Sequence, residues 1–402
     1  MKIRKLHIKN YKVFNDLELD FTDADGQTLD KIVLAGVNGC GKTTILEIIM
    51  KMYDGTIFDY SREFEKTSLE VELEVTDSEK KIINSLNNGQ EVVFYLKSTL
   101  SDTNNLQLIY HGNKSLNNNL DLFFTINNNI SSKFLNQLLY LPINLNSKKK
   151  LIKGSPLQLI HLETSKKQMK YLAIKEVRDE IFKYQDTPPR QTIEHTIKEI
   201  TKALIDMNLT TKLVDLESEE LIFESANGQK IKFEELSSGE QNLYFRAIYL
   251  SKLNPKDSII MIDEPEDSLH PTWQQKVINL YQNIGENNQV IVATHSPHII
   301  GSSNADEVFL LEIDENAIEA VHPKYTKGHS IDYILEVMGA NPRNTTVISA
   351  IDDYLALVRK GLHETEMGLK LKAEIDALDL DPNSAEMRRL DLSLKRFKAV
   401  GV

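Results

Sequence analysis

Charged and apolar residues alternate from the start of the chain. In IRKLHIKNY and DLELDF this period-2 spacing predicts two strands joined by a turn, so a sheet begins within residues 1–21. The run KIVLAG at 31–36 is apolar without alternation, as a short strand covered on both faces would be. TTILEIIMKMY at 43–53 has helical spacing. The order is strand, glycine-bearing loop, helix. From residue 68 to 125, SLEVELEV, QEVVFYLKS and NLQLIYH read as an antiparallel meander with Asn and Gly in its turns. Residues 113–130 are Asn-rich and read as a loop.

Between 155 and 210 the pattern turns helical, with Met169, Leu172, Ile174, Val177 and Ile181 roughly on one side, until Pro188 and Pro189 break it. Too few consecutive heptads fit there for a long coiled coil. After residue 230 come SIIMIDE, a helix around 272–284, QVIVATH and EVFLLEI, which predict the parallel half of an α/β sheet. Residues 329–400 read as wholly helical. Ile331, Ile334, Leu335 and Met338 have core spacing there, and Ser384 is placed to cap the last helix.

Composition narrows the class. A chain of 402 residues with 41% hydrophobic content can bury one large core or two smaller ones. No apolar run reaches the roughly 20 residues needed to span a bilayer, and the opening MKIRKLHIKNYKVF lacks a signal-peptide core. A cytoplasmic protein without a membrane partner is expected. The single cysteine, Cys40, excludes an internal disulfide and a cysteine-based zinc site. A formal charge of −12 argues against a globally basic nucleic-acid binder. Local patches remain for DNA, in Lys148, Lys149, Lys150 and Lys153, followed by Lys166, Lys167 and Lys170, although a charge run of this kind is usually a solvated face.

Chemistry enters at Gly36-Val37-Asn38-Gly39-Cys40-Gly41-Lys42-Thr43, with Thr44 following. Glycines at this spacing let backbone N–H groups wrap phosphates. Lys42 would reach the β and γ phosphates of ATP, and Thr43 would ligate Mg²⁺. SIIMIDE ends in Asp263, placed to hold the metal, and Glu264, placed to polarise the attacking water. Thirty-two residues beyond Asp263, the strand QVIVAT runs into His295, a candidate γ-phosphate sensor. Ser237, Ser238, Gly239, Glu240 and Gln241 open a helix, and a helix N-terminus with small residues suits an anion.

In combination GVNGCGKTT, LSSGEQ, IIMIDEPE, EDSLHP and ATHSP resemble the ABC-ATPase motifs of the SMC, RecF and OLD group. IRKLHIKNYKVF is also similar to the first strand of that group. The resemblance covers residues 1–60 and 230–315. It implies an α/β ABC-ATPase head, a mixed sheet around the phosphate loop, with an inserted β-meander and helical arm and an α-helical C-terminal region. The expected boundaries are 1–67 for the first lobe, 68–229 for the insertion, 230–320 for the second lobe and 321–402 for the helical region. By the same resemblance Ser238 and Gly239 contact the γ-phosphate held by a second subunit, and Lys12 approaches the nucleotide. Cys40 departs from the usual small residue and raises oxidation sensitivity. The glutamine that couples the lobes is unplaced, with Gln107 and Gln137 as candidates.

GHSIDYILEVMGANPR and SAIDDYLALVRKGLHETEM further resemble the tails of compact ABC ATPases of bacterial anti-phage systems, the Septu and retron-associated ATPases that are paired with an HNH nuclease. OLD proteins carry a Toprim nuclease after the ATPase, but no Glu-then-Asp-x-Asp pattern on strands stands here. The resemblance thus implies a homodimer, or a higher homo-oligomer, closed around ATP and controlling an effector such as a nuclease. A RecF/SMC-type ATPase acting directly on DNA is the alternative. A transporter subunit is disfavoured by the long mixed segment before LSSGEQ, the first strand and EDSLHP.

Overall fold

The alternating start forms an antiparallel pair, β1 (Lys2–Tyr11) and β2 (Phe14–Asp20), in register from Lys5↔Asp20 to Tyr11↔Phe14. One side of it, including Leu6, Ile8, Phe14 and Leu19, is fully buried. The computed structural model describes residues 2–54, 68–74, 95–100, 106–110, 138–141, 157–159, 170–171, 173–175, 177–179, 189–217, 220–314, 317–340, 345–378, 380 and 385–400. The expected Asn-rich loop at 113–130, the lysines at 148–153, 166 and 167, Met169, Leu172, Ile181, Ser384 and Gln137 lie outside these residues.

The apolar run after the pair is β3 (Lys31–Ala35), and the helix that follows is α1 (Lys42–Asp54). The meander strands are β4 (Ser68–Glu74), β5 (Tyr95–Leu100) and β6 (Leu106–Tyr110). Because β4 pairs with β1, they extend the first sheet in the order β2-β1-β4-β5-β6. That sheet therefore continues past residue 67 into the segment read as an insertion.

A second sheet gathers β7 (Leu138–Leu141), β8 (Leu157–Leu159), β12 (Ile259–Asp263), β13 (Gln289–Thr294), β14 (Val308–Asp314) and β15 (Ala317–Val321) around β3. Its order is β15-β14-β3-β13-β12-β7-β8, parallel except for β15. Every residue of β12 and β13 is buried, which explains why these strands read as unbroken apolar runs. One core joins the two sheets and α1 through Leu6, Phe14, Leu34, Ile45, Met261 and Ile291.

A smaller sheet, β9 (Thr211–Glu217), β10 (Glu220–Ser225) and β11 (Lys230–Lys232), precedes the second half of the head. Ahead of it, residues 170–179 are helical where described, with Ala173 and Val177 buried. Pro189 opens α2 (Pro189–Ala203) instead of only ending a helix, because a first-turn residue needs no N–H partner. After β11 come α3 (Ser238–Leu253), α4 (Pro271–Gln274), α5 (Val277–Gln282) and α6 (Pro297–Ser302). The helix expected over 272–284 is thus two short ones, parted at Gln275 and Lys276.

The chain divides into two compact units, Met1–Ile334 and Leu335–Val402. α7 (Ile331–Val337) lies at the boundary, with Ile334 as its buried residue. The second unit holds α8 (Thr345–Arg359), α9 (Glu366–Ala377) and α10 (Ala385–Val400) around Ile351, Tyr354, Leu355, Val358, Ile375 and Leu390. No helix among the described residues is long and apolar enough to cross a membrane.

Candidate functional site

The chain leaves β3 at Ala35 and enters α1 at Lys42 through a loop that only glycine can make at two points. A Cβ on Gly36, at φ 142°, would lie 2.6 Å from the Leu311 carbonyl oxygen. One on Gly41, at φ 91°, would lie 2.4 Å from Phe14 Cζ. The loop is therefore pressed between β14 and the β1–β2 turn. Val37, Asn38 and Gly39 face outward, while Cys40 is fully buried, so an oxidant reaches its thiol only if the loop opens. Lys42 is buried, and its Nζ donates to the Gly36 carbonyl at 2.8 Å and the Val37 carbonyl at 3.1 Å. Its ammonium thus lies beneath a loop whose N–H groups, with those of the first turn of α1, can face an anion. Thr44, two residues further, is half-buried.

Thr43 Oγ1 donates to Asp263 Oδ2 at 2.9 Å. The contact arises because β3 and β12 flank β13 in the parallel sheet, which brings the ends of all three strands together. Burial pushes the Asp263 carboxyl up to about 6, with the charges of Glu264 and Glu266 adding to the rise while Thr43 and Lys42 oppose it. Two hard oxygens side by side suit Mg²⁺, which takes one or two protein oxygens and completes its shell with phosphate and water. Among the described residues no group of three or more His, Cys, Asp or Glu forms a metal cage.

Glu264 takes the left-handed region at φ 44°, and its N–H donates to the Ala293 carbonyl at 2.7 Å. Its Oε1 lies 3.1 Å from His295 Nδ1. Glu266 comes in beside it: its Oε1 accepts the Thr294 hydroxyl at 2.5 Å and the His295 N–H at 3.0 Å. Lys42, Thr43, Asp263, Glu264 and His295 therefore form one site at the ends of β3, β12 and β13.

The second cluster is the start of α3. Ser237 is its cap, accepting the Glu240 N–H at 3.2 Å, while Glu240 Oε2 accepts the Ser237 hydroxyl at 2.9 Å. The other oxygen of Glu240 accepts Thr210 at 3.0 Å and Thr211 at 2.9 Å. Gln241 donates to the carbonyls of Phe233, Glu234 and Leu236. Glu240 and Gln241 thus face inward and brace the turn, leaving Ser237 and Ser238 exposed. No hydrogen bond among the described residues ties 237–241 to 36–43 in the same chain.

Lys12, at φ 50° in the β1–β2 turn, lies 3.1 Å from Glu47 on α1 and 5.6 Å from the centre of the Tyr11 ring. Through Glu47 it stands beside the helix that follows the phosphate loop. Lys170, counted among the DNA-facing lysines, instead pairs with Glu220 at 2.8 Å and with Glu234, which hold its ammonium above the usual lysine range. Of the two lobe-coupling glutamines, Gln107 lies on β6, opposite Thr99 in the first sheet.

Sequence reasoning missed Glu266, although EPE places it one proline from Glu264. It missed Thr210 and Thr211 as supports of the α3 cap. It also missed β7, whose LLYL is too short a run to assign but which pairs with β12, the strand that ends in Asp263.

The family model described as "AAA domain, putative AbiEii toxin, Type IV TA system" matches residues 31–301. A Septu protein PtuA of Bacillus thuringiensis is 27% identical over 427 aligned residues, which cover 99% of this chain and 99% of that protein. The "Retron Ec83 probable ATPase" of Escherichia coli is 22% identical over 98% of this chain and 87% of its own length. The structure of an SMC head bound to the C-winged helix domain of ScpA is 14% identical with a TM-score of 0.50, covering 80% of this chain and 98% of the head. That last likeness concerns the fold alone.

Proposed function

The chain belongs to the AAA-domain family whose model spans residues 31–301, and from that premise we propose that it binds and hydrolyses ATP as an ABC-type ATPase of the Septu and retron kind. The observation that carries the reading is the Thr43–Asp263 contact, 2.9 Å between residues 220 positions apart. It unites the phosphate loop with the end of β12, where hydrolysis chemistry is expected. Thr43 and Asp263 would hold Mg²⁺, which would supply neutralising charge on the phosphates.

The chain's own groups do the rest. The loop N–H groups and Lys42 bind the phosphates, Glu264 accepts a proton from the attacking water, and His295 orients beside it. Glu240 and Gln241 brace the exposed Ser237 and Ser238, which present the α3 N-terminus to the nucleotide of a second copy. Lys12 steadies the loop side through Glu47. In this reading ATP closes a homodimer, and the closed state controls a partner effector of the nuclease type, as the resemblance to the Septu and retron-associated ATPases implies; the full-length similarity to a Septu protein supports membership of that kind of ATPase. The Lys170 ion pairs speak against that lysine contacting DNA.

Phosphate release from Mg²⁺-ATP tests the core of the proposal. Release by the purified chain, lost in Lys42→Ala, supports it; absence of both ATP binding and release overturns it. Copurification of the tagged chain with the products of its native operon tests the effector arm.

A further inference from the structure

Glu266 has no role in the reading above, yet it is 7% exposed and its Oε2 has no hydrogen-bond partner among the described residues. Burying a carboxylate costs stability unless it is used. Its Oε1 is used twice, accepting the Thr294 hydroxyl at 2.5 Å and the His295 N–H at 3.0 Å. Thr294 Oγ1 in turn accepts the Ser296 N–H at 2.9 Å, and Ser296 donates to Gln274 Oε1 at 2.7 Å. The peptide around His295 is therefore fixed on both sides.

The imidazole itself is not fixed by packing, since the His295 side chain is 51% exposed. Its Nδ1 lies 3.1 Å from Glu264 but 3.6 Å from Glu266. Glu266 is thus nearer the His295 backbone than the ring. The geometry points to Glu266 as a positioning residue that clamps the peptide of His295, so that the ring meets Glu264. This rests on the ATPase reading for its consequence, but the clamp itself is a property of the chain.

Glu266→Ala removes the clamp, whereas Glu266→Gln keeps an acceptor oxygen for both donors. In ATP hydrolysis Glu266→Ala should lower kcat by about tenfold or more, as loss of an aligned acid–base group does, with KM changed by less than about threefold. Glu266→Gln should restore most of that rate. In a His295→Ala background, Glu266→Ala should add less than about a twofold further loss, because residues acting as a unit are not additive. A second readout needs no activity: the His295 imidazole ¹⁵N resonances should shift and broaden in Glu266→Ala and stay near the wild type in Glu266→Gln.

A full additional loss in the His295→Ala background, a Gln variant as impaired as Ala, or unchanged His295 resonances in Glu266→Ala would overturn the clamp. If the wild type hydrolyses no ATP, the ATPase reading falls, and the resonances still decide the clamp.

Discussion

Gly239 and Trp273 stand so close that a Cβ on Gly239 would lie 2.8 Å from Trp273 Cζ3 and 3.1 Å from the Ser268 carbonyl oxygen. The glycine at the start of α3 is therefore required by its own head before any second copy arrives. Trp273 is only half-buried and can yield, but the Ser268 backbone yields less readily. Gly239→Ala should cost about 1–3 kcal/mol of stability by overpacking. A thermal melt equal to the wild type would show that the contact relaxes freely. A larger residue at 239 would thus confound damage to the fold with damage to assembly.

The Asp263 carboxyl makes the site pH-sensitive in a defined direction. Ionising at about 6 in the folded chain and at about 3.9 when unfolded, it holds its proton longer in the native state. Stability from this group is full below the unfolded value, falls as pH rises from about 4 to about 6, and is flat above that. Without nucleotide or Mg²⁺, Asp263→Asn should therefore stabilise the chain at pH 8 by on the order of 1–3 kcal/mol, and by less at pH 5. Melting curves at the two pH values check this. An equal gain at both would show that the carboxylate is not strained.

Lys42→Ala should weaken ATP binding by roughly a hundredfold, about 3 kcal/mol, because charge-assisted hydrogen bonds to the phosphates are lost. Folding should survive. The ties from Lys42 to the Gly36 and Val37 carbonyls hold only the loop, and the core of β3 and α1 does not depend on them. Filter binding decides, and wild-type affinity in the variant would remove Lys42 from the site.

What the sequence shows and hides follows from the range of the forces involved. The loop at 36–43 is legible because its glycines recur at short spacing just before Lys42 and Thr43, where the backbone itself takes positive φ, whereas the close approach of Phe14 and Leu311 shows only in the fold. The strands ending at Asp263 and Thr294 are legible because burial on both faces leaves only apolar residues between their ends. Pairing of β4 with β1 is hidden, since alternation fixes which face is buried but not which strand lies alongside. The roles of Glu240 and Gln241 are hidden for a similar reason. Only the folded turn shows that their partners are Thr210, Thr211 and the Phe233 carbonyl. Lys170 reads as a surface charge until Glu220 arrives from 50 residues away.

Glu264→Gln should keep nucleotide bound while slowing hydrolysis about a hundredfold or more, since an amide has the shape of the acid but cannot take a proton from water. The left-handed backbone at residue 264 is no harder for Gln than for Glu. His295 Nδ1 can still donate to the amide oxygen at the position of Glu264 Oε1. Single-turnover hydrolysis is the measurement. An unchanged rate would mean that Glu264 is not the base.

The final test concerns the composite site, and Ser238 is the better probe than Gly239. Ser238 is exposed in the first turn of α3, and an acid there suits the helix dipole, so Ser238→Glu should fold normally. Its new charge would face the γ-phosphate of the opposite copy and repel it. Each head should then bind ATP with nearly wild-type affinity yet fail to dimerise. Light scattering in the Glu264→Gln background, where closed dimers should accumulate, reads this directly. Mixing Ser238→Glu with Lys42→Ala sharpens the test, because a two-fold dimer of the pair has one site with both defects and one with neither. Hydrolysis should return in the mixture when each variant alone is inactive. If Ser238→Glu dimerises and hydrolyses ATP as the wild type does, α3 does not reach the nucleotide of a second copy.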